Sequence, residues 1–182
     1  MTVIGLTGKN GSGKGEVAAL LKEKGFVYAS LSDALRMELR ARGVDVSRMN
    51  LIQVGRELRA RFGPSILACR IGGELDNSLD YVIDSVRNPA EVQWMKENIP
   101  GFQLWNVRAD ANIRFERIKS RKRESDPDTL EAFLELEAME ASSKDSSGQD
   151  LDGTAKLADS ELPNMSSLDD LNTAVSALLE QG

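Results

Sequence analysis

The 182-residue sequence contains no histidine and only one cysteine, Cys69. Without histidine, Ser-His-Asp and Cys-His catalytic sets and histidine-ligated zinc sites are excluded, and a single cysteine excludes a zinc site built from cysteines alone. One cysteine cannot form an internal disulfide, and the N-terminus does not resemble a signal peptide. We therefore expect a protein of a reducing, cytoplasmic environment.

Long apolar runs are also missing. No stretch of about 18 apolar residues occurs, so the sequence predicts neither a transmembrane helix nor a membrane partner. The composition is that of a globular protein, with 41% hydrophobic and 29% charged residues. Because this length is typical of one ordinary domain, we expect residues 1–182 to form a single domain.

Charge is divided unevenly along the chain. Residues 1–123 carry a net charge of +7, whereas residues 124–182 carry −13. The basic part suits an anionic small ligand, and the acidic part is typical of a solvated surface. The arginines are dispersed and the isoelectric point is about 4.9. Both features argue against nucleic acid as a partner.

Short apolar runs alternate with helical patterns along the chain. Strands are predicted over residues 2–7, 26–29, 81–84, 102–107 and, more weakly, 156–162. Helices are predicted from Lys14 to Gly25, over 33–42, from an Asn50 cap to 62, over 64–77, 88–98, 110–122 and 128–142, and from 167 to 181. Residues 143–154 are polar and are predicted to form a loop. Alternating strands and helices predict an α/β fold of three layers, α/β/α, with a parallel sheet.

A phosphate-binding motif lies between the first strand and the first helix. The pattern G-x-x-x-x-G-K requires this strand-to-helix context, because its backbone N–H groups and the helix N-terminus surround phosphate oxygens. Lys14 adds a positive charge at the β- and γ-phosphates, and we predict it to be catalytic. The predicted ATP-binding residues are Gly8, Lys9, Asn10, Gly11, Ser12, Gly13, Lys14, Gly15 and Glu16.

The motif departs from its usual form at one position. Gly15, followed by Glu16, stands where a serine or threonine hydroxyl commonly ligates Mg²⁺. Magnesium keeps several waters and needs few protein ligands, so a carboxylate elsewhere can serve. We predict Asp84, at the end of an apolar strand, as that metal ligand. The alternative is that Asp84 only caps the end of the strand.

Several segments, in this order and spacing, resemble the P-loop nucleoside monophosphate kinases, in particular adenylate-kinase-related and dephospho-CoA-kinase-like nucleotide kinases. They are residues 8–15, 31–36, 55–59 and 83–87, and residues 114–117 with Arg121 and Arg123. The resemblance implies a P-loop kinase fold with a helical acceptor-binding segment over about 31–77 and a short lid over about 117–143. Residues 160–163 interrupt what the family shows as an apolar last strand.

The resemblance also implies roles for single residues. Asp33, Arg36, Arg59 and Arg87 would bind the acceptor, and Arg87 would also bridge the acceptor and the transferred group as a catalytic residue. Arg121 and Arg123 would be catalytic residues of the lid, and Arg117 and Asn164 would contact ATP. For Arg59 the alternative is a solvated helix face. For Arg117 it is pairing along its own helix, next to Arg114 and Glu116.

The implied activity is that of an ATP-dependent phosphotransferase, with Mg²⁺ as cofactor and ATP as co-substrate. The acceptor would be a nucleoside or deoxynucleoside monophosphate, and the protein would act as a monomer or homodimer. Two alternatives stay open. A hydroxyl acceptor, as in dephospho-CoA kinases, would use Asp33 as a base. A non-catalytic, regulatory ATP-binding protein would account for the missing hydroxyl at Gly15.

Overall fold

A computed structural model of the chain describes residues 1–120, 127–141 and 148–181. Within these residues, five strands form one sheet in the order β2-β3-β1-β4-β5. The strands are β1 (Val3–Thr7), β2 (Val27–Ser30), β3 (Tyr81–Asp84), β4 (Phe102–Arg108) and β5 (Ser160–Pro163). Every pairing between neighbours is parallel. The carboxyl ends of the strands therefore meet at one edge, where open parallel sheets bind ligands.

Helices cover both faces of this sheet, which confirms the predicted α/β/α arrangement. The helices are α1 (Lys14–Glu23), α2 (Leu31–Ala41), α3 (Arg48–Phe62), α4 (Ile66–Gly72), α5 (Pro89–Asn98), α6 (Ala111–Ser120), α7 (Leu130–Ala141), α8 (Leu151–Ala155) and α9 (Leu168–Gln181). Among the described residues, no helix combines the length and the apolar character needed to cross a membrane.

The central strand β1 is buried on both faces, as expected of a parallel sheet between two helical layers. Val3 packs into an apolar cluster with α2, α3, α4 and α5. Ile4 and Leu6 point the other way, into a cluster with α1 and α9. All five residues of β1 are buried. Its carboxyl end is thus fixed at the centre of the binding edge.

Four local predictions were wrong. The last strand, predicted over 156–162 with an interruption at 160–163, is formed by Ser160–Pro163 itself, because Lys156 caps the end of α8. Helix α3 begins at Arg48, because the Ser47 hydroxyl accepts a hydrogen bond from the Asn50 N–H at 3.1 Å and takes the capping role assigned to Asn50. Helix α4 begins at Ile66 and is shorter than the predicted 64–77. The predicted loop 143–154 contains α8, whose first turn is capped by the Asp150 carboxylate.

The lid predicted over about 117–143 lies only partly within the described residues. Residues 121–126, which include Arg121 and Arg123, and residues 142–147 fall outside them. The described part comprises the end of α6 and helix α7. These helices share a small apolar core of Phe115, Ile118 and Phe133.

Candidate functional site

The loop that follows β1 is shaped by its glycines. Gly8, Gly11 and Gly13 all have positive φ angles, of 139°, 79° and 96°. A Cβ atom on Gly13 would overlap the side-chain amide of Asn164, so both the conformation and the space require glycine there. Gly13 is also the N-cap of α1 and supplies no side-chain cap. Backbone N–H groups of the first turn are thus available to an anion.

Lys14 folds back over this loop. Its Nζ donates hydrogen bonds to the carbonyl oxygens of Gly8 at 2.7 Å and Lys9 at 3.2 Å. The ammonium group is therefore held over the backbone cradle, where the phosphate motif predicts it. Lys14 also lines the large cleft described below.

The predicted ATP contacts Arg117 and Asn164 lie at the same loop. Both donate to the Ser12 carbonyl oxygen, Asn164 Nδ2 at 2.9 Å and Arg117 Nη1 at 3.3 Å. Arg117 Nη2 also donates to Asn164 Oδ1 at 3.1 Å. Arg117 thus contacts the phosphate loop, not its helix neighbour Glu116 as in the alternative interpretation. Together the two side chains hold the loop, Arg117 from α6 and Asn164 from the end of β5.

Arg114 is a loop-supporting residue that the sequence analysis missed. Its side chain is buried and donates to the Asn10 carbonyl oxygen at 3.1 Å. It also forms a two-bond ion pair with Glu137 and lies over the Phe133 ring at 5.2 Å. The partners on α7 are far along the chain, so helical spacing alone gave no signal for this role. Arg114 links α6, α7 and the phosphate loop.

Asp84 lies at the carboxyl end of β3, half-buried. Its Oδ1 accepts from the Ser85 N–H at 2.6 Å, and its Oδ2 accepts from the Tyr28 hydroxyl at 3.4 Å. Burial raises the pKa of Tyr28, and the negative charge of Asp84 raises that pKa further. The tyrosine is therefore a neutral hydrogen-bond donor to the Asp84 carboxylate.

The residues around Asp84 offer few protein ligands for magnesium. No group of three or more carboxylate or thiol ligands occurs within residues 1–120, 127–141 and 148–181. Magnesium bound to a nucleotide needs only one or two protein carboxylates, and the phosphates and waters supply the other oxygens. At Gly15, a Cβ atom would meet no described heavy atom within 4 Å. One carboxylate is thus present at the carboxyl end of β3, and the described residues leave open space beside Gly15.

A cleft of about 430 Å³ opens between the phosphate loop and helices α2 and α3. The described residues that line it include five cations and no aspartate or glutamate. The cations are Lys14, Arg36, Arg56, Arg59 and Arg87. Aliphatic side chains complete the wall on the α2 and α3 side, namely Leu31, Leu35, Val46, Leu51 and Ile52. The cleft therefore combines cationic and aliphatic side chains, and helices α2 and α3 contribute both kinds.

The arginines of the cleft are held in different ways. Arg59 is buried and its Nη2 lies 2.8 Å from Glu91 Oε1, which is fully buried. Arg36 is half-exposed, with Nη1 2.7 Å from Asp33 Oδ1. Asp33 itself lines a separate groove between α2 and α4, not the cleft. The structure thus brings Arg36, Arg59 and Arg87 together with Lys14 in the cleft. Asp33 lies outside it.

Gly148, Gln149 and Leu151 form the remaining wall, in a part of the chain predicted only as a loop. Gln149 Oε1 accepts from Arg87 Nη1 at 2.9 Å, and the Arg87 carbonyl accepts from the Asp150 N–H at 2.9 Å. On the other side, Asp152 lies 3.8 Å from Lys9 Nζ of the phosphate loop. This segment therefore connects Arg87 to the loop. Its polar sequence gave no sign of these long-range contacts.

Comparisons with known proteins assign this chain to a family. Residues 4–141 match the family model described as an AAA domain. A UPF0200 protein of Pyrococcus abyssi is 35% identical over 144 residues, which cover 76% of this chain and 77% of the relative. The chain belongs to the AAA-domain and UPF0200 families. The phosphate loop of this UPF0200 chain is thus that of a P-loop domain.

Two solved structures share the fold across nearly the whole UPF0200 chain. A gluconokinase from Sinorhizobium meliloti has a TM-score of 0.57 at 15% identity, covering 99% of this chain and 94% of its own. A shikimate kinase from Acinetobacter baumannii, in complex with shikimate, has a TM-score of 0.58 at 11% identity, covering 100% and 94%. The predicted P-loop kinase fold is confirmed. At these identities the likeness is one of fold.

Proposed function

We propose that this chain is an ATP-dependent kinase whose acceptor carries a phosphate group, a nucleoside or deoxynucleoside monophosphate. The observation that carries the proposal is the charge of the cleft. Five cations line it, and no carboxylate does among its described residues. A dianionic acceptor phosphate beside a nucleoside triphosphate requires this excess of positive charge.

The chemistry of phosphoryl transfer supports the same choice. The protein has to position two substrates and stabilise negative charge on the transferred group. An acceptor phosphate is already an anionic nucleophile, whereas a hydroxyl acceptor benefits from a carboxylate that takes its proton. Arg36 and Arg87 can hold the acceptor phosphate, and Arg59, fixed by Glu91, shapes the wall behind it.

On the donor side, the residues from Gly8 to Glu16 would bind the ATP phosphates, with Lys14 at the β- and γ-phosphates. Arg117 and Asn164 would keep the loop in place beneath the nucleotide. Asp84 is the residue that would hold Mg²⁺, which when bound neutralises charge on the phosphate oxygens. The lid arginines Arg121 and Arg123, outside the described residues, complete the proposed catalytic set.

A second candidate is an acceptor that offers a hydroxyl, because the fold is shared with proteins named a gluconokinase and a shikimate kinase. Asp33 would then be the base. Its carboxylate pairs with Arg36, which lines the cleft, but Asp33 itself faces a different groove. The geometry therefore favours the phosphate acceptor.

The experiment is an ADP-release assay over a panel of acceptors. The panel contains ribo- and deoxyribonucleoside monophosphates, dephospho-CoA, gluconate and shikimate, and Lys14→Ala provides the inactive control. We expect ADP formation that depends on a monophosphate and on Mg²⁺. Turnover only with a hydroxyl compound would replace the proposal by the second candidate. ATP binding without ADP formation for any acceptor would favour a non-catalytic ATP-binding protein.

A further inference from the structure

Ser85 has an unusual backbone conformation at the edge of the cleft. Its φ angle is 68°, and it is the one non-glycine residue with positive φ in the part of the chain that the structure describes. This left-handed region crowds the Cβ atom of an L-residue, and serine is not among the residue types that enter it readily. Strained residues of this kind persist where their surroundings impose them, often at functional sites.

Hydrogen bonds on both sides impose the conformation of Ser85. Its N–H donates to Asp84 Oδ1 at 2.6 Å. The next N–H, from Val86, donates to the Leu6 carbonyl oxygen at 3.2 Å, and the Val86 side chain is fully buried. The chain must therefore turn sharply at Ser85 to return Val86 to the sheet. A glycine would make this turn without strain.

The position of the serine side chain gives a reason for the strain. Ser85 lines the cleft, directly after the proposed metal ligand Asp84 and two residues before Arg87. Its Oγ accepts a hydrogen bond from the Ser30 hydroxyl at 3.4 Å, at the start of the acceptor-side helix α2. Because the Ser85 oxygen is the acceptor in that bond, its own proton is left to donate to a ligand.

We propose that Ser85 is a further substrate-contacting residue, whose hydroxyl donates a hydrogen bond to a phosphate oxygen of the acceptor held by Arg87. This inference rests on the proposed kinase function. The strained turn fixes the hydroxyl between Asp84 and Arg87, where the donor and acceptor phosphates would meet. A glycine at this position would relieve the strain and lose the contact.

Two variants separate the hydroxyl from the strain. Ser85→Gly removes both, and Ser85→Ala removes the hydroxyl and keeps the strained Cβ. We expect kcat/KM for the monophosphate acceptor to fall at least about tenfold in both variants, with the KM for ATP within about threefold of wild type. The Tm should rise by about 2–4 °C in Ser85→Gly only. Ser78→Ala, at an exposed turn whose residues do not line the cleft, should leave kcat/KM, the KM for ATP and the Tm close to those of the wild type.

The outcomes are distinguishable from those of the proposed function. If the wild type transfers phosphate and either variant keeps kcat/KM within about twofold, the hydroxyl makes no useful contact and the inference is wrong while the kinase proposal stands. A wild type that forms no ADP with any acceptor overturns the kinase proposal and the Ser85 contact with it. A loss confined to the KM for ATP would place Ser85 on the donor side and overturn the acceptor contact.

Discussion

The two sides of the cleft are built in opposite ways. On the donor side, the phosphate loop is one continuous segment, and its anion-binding groups are backbone N–H groups and one lysine. On the acceptor side, three arginines come from three places in the chain. Their partners Asp33, Glu91 and Gln149 lie 3, 32 and 62 residues away from them. Local sequence therefore defines the phosphate loop of the donor side, whereas contacts between distant parts of the chain hold Arg59 and Arg87 on the acceptor side.

Lys14 tests the donor side most directly, and its removal should have the largest effect. Lys14→Ala should lower kcat/KM for ATP at least about a thousandfold, because Lys14 supplies the positive charge proposed at the β- and γ-phosphates. Its present hydrogen bonds are to two exposed or half-buried carbonyl groups, which water can satisfy. The Tm should therefore stay close to that of the wild type. Near-normal turnover by the folded variant would contradict the assignment of the loop.

The Arg59–Glu91 pair tests the acceptor side through stability. Glu91→Ala leaves the buried Arg59 charge without its partner and should reduce the free energy of unfolding by about 3–5 kcal/mol. Glu91 also accepts from the backbone N–H groups of Arg87 and Asn88, at 3.0 and 3.1 Å, which adds to the loss. Denaturant unfolding would measure this change.

The exposed pair Arg108–Glu161 is the matched control for this buried pair. Its side chains are 64% and 49% exposed, and its atoms lie 3.3 Å apart. Arg108→Ala should change the free energy of unfolding by less than about 1 kcal/mol. Equal losses in Glu91→Ala and Arg108→Ala would show that the buried pair does not organise the acceptor wall.

Asp84 lies at the carboxyl end of β3, directly before the cleft-lining residue Ser85. Asp84→Asn should lower kcat about a hundredfold and keep the KM for ATP within about tenfold, because charge near the metal matters most in the transition state. The amide oxygen can still accept from the Ser85 N–H, so the turn should survive. Tyr28→Phe is the control, since it removes the hydroxyl that donates to Asp84 at 3.4 Å and keeps the carboxylate itself. An equal loss of kcat in Tyr28→Phe would argue against a metal-binding role for Asp84.

The same contrast explains how much the sequence could predict. The phosphate loop, the alternation of strands and helices and the Asn88 cap of α5 depend on neighbouring residues, and all three are present in the structure. Arg114 and Gln149 could not be found in this way. Their partners Glu137 and Arg87 lie on other elements, and pairing of that kind is set by the packing of helices, not by local spacing.

Asp33 shows where the resemblance was least informative. It was grouped with Arg36 as acceptor-binding because both lie in one short segment of the sequence. On a helix, however, residues three apart share a face only in part, and the Arg36 side chain reaches the cleft while Asp33 lines the neighbouring groove. The order of residues placed both on α2, but it could not show that only Arg36 lines the cleft.

Arg36 and Asp33 provide the last and smallest test. If the acceptor carries a phosphate, Arg36→Ala should raise the acceptor KM about tenfold, since one charge-assisted contact is lost from a partly solvated site. Asp33→Asn should keep kcat within about threefold and lower the acceptor KM, because it frees the Arg36 guanidinium from a 2.7 Å ion pair. A hydroxyl acceptor predicts the opposite pattern: a loss of kcat of about a hundredfold or more in Asp33→Asn, with little change of KM in Arg36→Ala. Steady-state kinetics of the two variants with the best acceptor would therefore decide which chemistry the cleft supports.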